Sequence, residues 1–384
     1  MISGSFSKVN SDDEQDIVPS SDCLNCPIVE EPRIHLASYS KRYTDVARLL
    51  RLKFIAQVCP KLRVEALELA INHVKSTYNV KMYEELHKIH SMEVERSVKS
   101  SKAISSSNTS IDTMPTCSTS QPNRAPCKAL PYDSYWVEDN TMEATLLLQE
   151  LDAELNFKKS NSGSTYVRRI LEEIGDYHVK SGNLHLAIKY YARARPYCTS
   201  SDHVINMFRN LIRVSIYMAN WWHVLSYIDE AKHYAAGFQN LAQSVPAQLS
   251  CAAGLANIGL KIYKTAAHCF LLTPFDHYDY HDIVAQQDVA YYGGLCGLAT
   301  LDIEMLQLGC LESETFKPFI AISHRIWDLI ANFISGDLDN CVKQLQEIES
   351  HVRLDVYMAP HVDALYGKIK TRMRDRKSSI TERI

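Results

Sequence analysis

The densest group of side chains able to do chemistry is PFDHYDYHD, Pro274 to Asp282. Asp276, His277, Asp279, His281 and Asp282 could offer nitrogen and oxygen ligands to a divalent metal. The spacing does not suit one helix face, because a loop follows Pro274, and no Glu stands as the general base of an H-E-x-x-H site. A structural loop with polar turn residues is expected. Cys23-Leu24-Asn25-Cys26 could begin a zinc knuckle, but no second pair of ligands follows at usable spacing. His87 and His90 sit three apart on one helix with no third ligand nearby, so surface histidines are expected there.

Tyr291-Tyr292-Gly293-Gly294-Leu295-Cys296-Gly297 is rich in glycine, yet it lacks G-x-x-x-x-G-K-[ST] and a preceding strand; close helix packing explains its glycines. Of Trp221 and Trp222, at least one is expected in the core. The run Lys368, Lys370, Arg372, Arg374, Arg376, Lys377 is the one basic cluster, expected as a solvated tail, and no aromatic residue beyond Tyr366 interleaves with it to stack on bases. No Ser, Cys or His arrangement presents a nucleophile with its base, so no enzyme activity, metal or cofactor is expected.

The elements that carry these residues follow from composition and period. The chain has 384 residues, 46% of them hydrophobic, enough for two or three globular units. Its formal charge of -4 gives no global reason to bind nucleic acid or an anionic membrane. Several of the eleven cysteines, including Cys251, Cys269, Cys296 and Cys341, lie in apolar helical patterns and read as reduced thiols acting as small hydrophobes. The polar, acidic start is not a secretory leader, and neither secretion nor a membrane span is expected.

Residues 1–33 read as a disordered tail and 97–135 as a disordered Ser/Thr-rich linker, both too polar to offset the entropy of ordering. Between them, 34–96 is an N-terminal helical region. It includes a helix over Tyr43 to Val58 stopped by Pro60, a second with Leu62, Ala66, Leu69, Ala70 and Val74 on its inner stripe, and a third in KMYEELHKIH. From Trp136 to Phe157, Met142, Leu146, Leu147, Leu151 and Leu155 recur at helical spacing.

Next comes the strongest repeat signal. Leu171, Ile174, Gly175, His178, Ala187 and Tyr191 fall on the W-x2-L-G-x2-Y … A-x3-F template of a tetratricopeptide hairpin, with Leu for Trp, Ile for Leu and His for Tyr. Gly175 and Ala187 would let two antiparallel helices approach closely, with Tyr191 filling the groove beside them. Such a hairpin needs neighbours to cover its apolar face. Moving 37 residues from Ala187, Tyr191 and Ala194 reaches Val224, Ile228 and Ala231. Gly254 and Ala266 repeat the interval of Gly175 and Ala187, with Phe270 in the place of Tyr191. Gly336, Cys341, Leu345 and Ile348 repeat Gly182, Ala187, Tyr191 and Ala194. No segment alternates with period two between hairpin turns. The fold class is therefore all-α, a right-handed α-solenoid of degenerate tetratricopeptide-like hairpins, with repeats over 136–235 and a further helical unit over 236–366.

Particular segments say more than periodicity. RARPYCTSSDHVINMFRNLIRVSIYMANWWHVLSYIDEA, SCAAGLANIGLKIYKTAAHCFLLTPFDHYDY and DVAYYGGLCGLATLD closely resemble the subunit 1 family of the COP9 signalosome, one of the PCI-domain families. VCPKLRVEALELAINHVKSTYNVKMYEELHKI and RLDVYMAPHVDALYGKIKTR extend the resemblance to about Ile34 to Arg372, apart from the Ser-rich linker. The paralogous helical family of the proteasome lid shares the plan, but CTSSDHVINM and FDHYDYHD look more like the signalosome family.

The resemblance implies a non-catalytic scaffold in a complex that removes Nedd8 from cullin-RING ubiquitin ligases, with the metal-dependent isopeptidase in another subunit. It implies signalosome subunits as partners, cullin-RING ligases reached through the complex, and a cytoplasmic and nuclear location. It also implies that residues 367–384 are a basic tail standing where a PCI winged helix is expected, so that most or all of that winged helix is missing. The competing functions are a proteasome lid-type subunit, a nucleic-acid-associated PCI-type adaptor using the basic run, and, more remotely, a hydrolase using the Asp276 to Asp282 cluster.

Overall fold

A computed structural model describes residues 26–106, 130–161, 163–235, 244–276 and 278–381. Among the described residues the chain is an all-α solenoid without strands. The N-terminal helices are α1 (Leu36–Ser40), α2 (Asp45–Val58), α3 (Arg63–Val74) and α4 (Val80–Ser106). The array continues with α5 (Ser134–Asn161), α6 (Ser164–Lys180), α7 (Leu184–Arg193), α8 (Ser201–Tyr217), α9 (Trp221–Ala235), α10 (Ser244–Gly259) and α11 (Tyr263–Leu271). It ends with α12 (Gln286–Thr300), α13 (Ile303–Leu306), α14 (Lys317–Ile322), α15 (His324–Ser335), α16 (Leu338–Val352) and α17 (Val362–Thr381).

One turn geometry builds four of the hairpins. Gly182, Ala219, Lys261 and Gly336 all have positive φ, at 81°, 53°, 63° and 89°, and each ends the first helix of a pair. The residue after each donates its N–H to a carbonyl five positions back: Asn183 to His178, Asn220 to Ser215, Ile262 to Asn257 and Asp337 to Asn332. This is the Schellman closure, which satisfies carbonyls the helix end would otherwise leave bare. Glycine adopts it freely, whereas Ala219 and Lys261 hold a left-handed conformation that disfavours a Cβ by about 1–2 kcal/mol.

Counting from those four turns explains the repeat. Five residues on stand Ala187, Val224, Ala266 and Cys341, all fully buried; nine on stand Tyr191, Ile228, Phe270 and Leu345, at most 1% exposed. In two of the pairs the second set projects into the facing helix, Tyr191 onto Gly175 and Phe270 onto Gly254. α12 lies at the centre of the C-terminal half, with every residue from Asp288 to Ala299 buried. Its glycines admit neighbours: a Cβ at Gly293 would lie 2.5 Å from the Phe316 ring, and one at Gly294 2.6 Å from Ile326.

Some elements differ from the sequence reading. Residues 1–25 of the expected tail lie outside the described residues, but Val29 is buried and donates its N–H to the Val58 carbonyl at 2.9 Å, pinning that stretch to α2. α4 runs on to Ser106, past the expected linker start at 97; 107–129 lies outside the described residues. The basic run from Lys368 is only in part the solvated tail expected: Lys368, Lys370, Arg374 and Lys377 are exposed, but Arg372 and Arg376 are half-buried. It belongs to α17, where Arg372 donates to the carbonyls of Leu298 and Leu301 at the C-terminal end of α12, and Arg376 Nη2 donates to Ile334 O at 2.5 Å near the end of α15. Cations here meet the negative ends of two helix dipoles and their unpaired carbonyls. In α5, Leu151 and Leu155 are buried as the periodicity requires, but Met142 and Leu146 are exposed.

Candidate functional site

The hairpin residues occupy the interior of the array. A Cβ at Gly175 would lie 2.5 Å from the Tyr191 ring, and one at Gly254 2.7 Å from the Phe270 ring, so each glycine is the seat of the bulky residue on the paired helix. Ala187, Ala194 and Ala266 are fully buried beside them. Gly182 faces the Asn79 side chain, Gly336 closes α15, and Cys341 Sγ lies 3.7 Å from Leu329 O. Tyr191 also carries a polar link between hairpins. Its hydroxyl donates to Asp176 Oδ1 at 2.5 Å, while Arg213 from α8 donates to both oxygens at 3.3 and 3.2 Å.

The Pro274 to Asp282 stretch is a docking loop between α11 and α12. Tyr278 and Tyr280 are buried, and Tyr278 donates its hydroxyl to Val284 O at 2.9 Å. The loop's own carbonyls accept from Gln248 at Asp279, from the Thr44 N–H at His281 and from the Tyr217 hydroxyl at Asp282. Asp282 stands 3.9 Å from Arg213, and burial raises its carboxyl pKa above the usual range. His277 lies outside the described residues. Among the described residues no three His, Cys, Asp or Glu side chains group to hold a metal, and Cys23 of the Cys23/Cys26 pair lies outside them. A cleft of about 250 Å³ opens beside this loop, lined by Glu172, Asn206, Arg209, Arg213, Tyr280 and Asp282. Cations and carboxylates alternate around it, which suits a polar surface rather than a single ion.

Other candidates resolve into packing. Trp221 lies against Gly259 and 6.2 Å from the Tyr357 ring, whereas Trp222 is exposed. His87 bonds to Leu130 O at 2.9 Å, and His90, expected at the surface, is fully buried 3.6 Å from Glu68. Burial lowers the His90 pKa. The thiols of Cys251, Cys310 and Cys341 are pushed up to about 12 by burial, so they stay protonated and poorly nucleophilic at neutral pH.

The strongest electrostatic feature went unread in the sequence. Arg51, on α2, is 1% exposed and reaches across the fold. Its Nη1 donates to Asp355 Oδ2 at 2.5 Å; its Nη2 donates to Ile283 O at 3.1 Å and contacts Asp288 Oδ2 at 3.4 Å. Tyr43 donates to both Asp288 oxygens at 2.9 and 2.8 Å, and Tyr292 donates to Asp355 Oδ1 at 2.8 Å. The guanidinium also lies 4.0 Å from the Tyr43 ring centroid, a cation–π contact inside the protein. Asp355 completes its shell with the N–H groups of Tyr357 and Met358, and Asp288 with that of Ala285. Burial opposes the charge on Arg51, but the surrounding tyrosine and carboxylate oxygens hold its pKa well above the ordinary value. Burial raises the Asp288 pKa, and Arg51 counters it.

This clamp joins α2, the loop before α12, α12 itself and the turn after α16. α2 also carries Arg48 and Lys53, so residue type did not single out Arg51; the available signal was a helix apolar around most of its circumference, which is covered on several sides and must bury one of its cations. Beside the clamp, the His351 ring packs 4.8 Å from Tyr291, and burial lowers its pKa to about 4. The unfolded chain therefore takes up a proton near pH 6.5 that the folded chain refuses until about pH 4. Stability should fall by about 1–2 kcal/mol from neutral pH to about pH 5 on this account. Asp282 and Asp288, whose folded pKa values are raised, act in the opposite sense at lower pH. Urea unfolding of wild type and His351→Gln at both pH values checks this: the variant's stability should change less with pH.

Comparison with known proteins narrows the family. The family described as 26S proteasome subunit RPN7 matches residues 133–308. The chain is 38% identical over 365 residues to COP9 signalosome complex subunit 1b of Drosophila melanogaster, covering 90% of this chain and 70% of that one. The chain belongs to the COP9 signalosome subunit 1 family. A second member, COP9 signalosome complex subunit 1 of Arabidopsis thaliana, is 30% identical over 349 residues, covering 90% of this chain and 71% of its own length. Both the docking loop and the Arg51 clamp thus lie in a subunit 1 fold that the signalosome relatives match across nearly the whole chain.

Proposed function

We propose that the chain is a non-catalytic scaffold subunit of the COP9 signalosome, supporting removal of Nedd8 from cullin-RING ubiquitin ligases while the isopeptidase acts in another subunit. The observation that carries this reading is the 38% identity to a signalosome subunit 1 across 90% of the chain. It is supported by the way polar groups are used: Arg51, Arg372 and the 274–282 loop are committed to holding helices together. The other signalosome subunits are its partners, cullin-RING ligases are reached through the complex, and the protein works in cytoplasm and nucleus.

The test is affinity purification of the tagged chain from both cell fractions. Recovery with signalosome subunits, and Nedd8 cleavage from a cullin by that complex but not by the isolated chain, is the expected result. Recovery with proteasome lid subunits alone overturns the assignment.

A further inference from the structure

Helix α5 is apolar on two sides, and only one is covered. Leu151, Leu155 and Ala144 face the neighbouring helices, and the N-terminal end is fixed by Asn140 Nδ2 donating to Thr77 O at 3.1 Å and by Trp136, whose ring lies tilted 4.8 Å from that of Tyr83. On the opposite side Tyr135, Met142, Leu146 and Phe157 are 77%, 63%, 59% and 62% exposed. With Ala153, also exposed, these residues fall within about 60° of arc at 100° per residue, a stripe about 33 Å long that only Asp139 interrupts. Scattered exposed apolar residues are ordinary; a helix-long stripe is the pattern of a recognition surface.

Charge selects the occupant. Glu138, Glu143 and Glu150 are exposed along the borders of the stripe and Asp139 within it, and none forms an ion pair with the described residues; Lys158 and Lys159 follow only at the C-terminal end. A second copy of α5 would set carboxylates against carboxylates, and an anionic lipid surface would be repelled. We propose that this stripe docks a basic amphipathic helix of another protein, whose apolar residues meet Tyr135, Met142, Leu146 and Phe157 and whose Lys or Arg residues pair with the bordering carboxylates. This is helix-against-helix recognition by anchors three, four and seven residues apart. It stands apart from the signalosome assignment, because binding is read on the isolated chain.

The probe is a fluorescent amphipathic peptide of about 20 residues, long enough to span the stripe, with leucine on one face and lysine on the other, alongside a counterpart with glutamate for lysine. The basic peptide should bind saturably at one site, weaken with added salt, and bind at least about tenfold more tightly than the acidic one. Met142→Ser with Leu146→Ser should weaken it by about tenfold or more, and Glu143→Lys with Glu150→Lys should reverse the preference between peptides. All four side chains are exposed, so helix content and melting should not change. Equal binding by wild type and both double variants overturns the proposal. So does self-association through the stripe in sedimentation, or a gain of tenfold or more in peptide affinity on deleting 107–129, which would make that segment the occupant.

Discussion

Arg51→Met is expected to lower stability by about 3–5 kcal/mol, a large share of the 5–15 kcal/mol that holds a typical domain together. The loss comes less from the ion pairs themselves than from what remains. Asp288 and Asp355 are 3% and 6% exposed and would keep buried charge with no cation within reach. Tyr43 and Tyr292 still donate to them, but neutral donors offset only part of the cost of burying a carboxylate. Neutralising both acids alongside, Arg51→Met with Asp288→Asn and Asp355→Asn, should recover most of the loss, since a buried charge network replaced as a whole by neutral groups of similar size is often close to neutral. Denaturant unfolding measures the totals. Hydrogen exchange should localise the first loss to α1, α2 and the 278–285 loop, which the clamp ties to the C-terminal half. A loss below about 1 kcal/mol would mean that water reaches the carboxylates and the clamp is not sealed.

Gly254→Leu is expected to cost about 2–3 kcal/mol by overpacking. Replacing a helical glycine with leucine raises helix propensity by close to 1 kcal/mol, so the sign depends on space. Space decides it here: the first added carbon would already lie 2.7 Å from a ring that is fully buried against α10 and α12. Phe270→Ala alone should cost about 3–5 kcal/mol through the cavity it leaves. Combined, the two should cost clearly less than their sum, because the new leucine occupies the volume the ring gave up. Thermal or urea unfolding of the four proteins closes the cycle. Additive losses would show that Gly254 and Phe270 do not share a seat.

The hairpins could be read from the chain because their signals are local. A turn, a small residue five positions later and a bulky one nine positions later all lie within one helix pair, and Gly182, Ala187 and Tyr191 display that spacing to anyone counting. Ala219 and Lys261 hid two of the turns, since nothing in an alanine or a lysine announces a left-handed conformation. Met142 and Leu146 followed the apolar period of α5 and still ended outside, because periodicity reports that a face is apolar, not that something covers it. Arg372 and Arg376 read as surface charge because the carbonyls they bond belong to α12 and α15, far back in the chain.

By itself, then, the sequence determined the helices, the pairing of successive helices and the family, all of which depend on residues within a few turns of one another or on their order. Only the tertiary structure decided which charges are buried and which apolar faces stay open. Arg51 meets partners 237 and 304 positions away, and the main core runs from Val29 to Met373 beside a smaller one centred on α5 and α6. Charge burial and face coverage are set by where distant helices come to rest, and the energies that place them there are summed over the whole core rather than written at any one position.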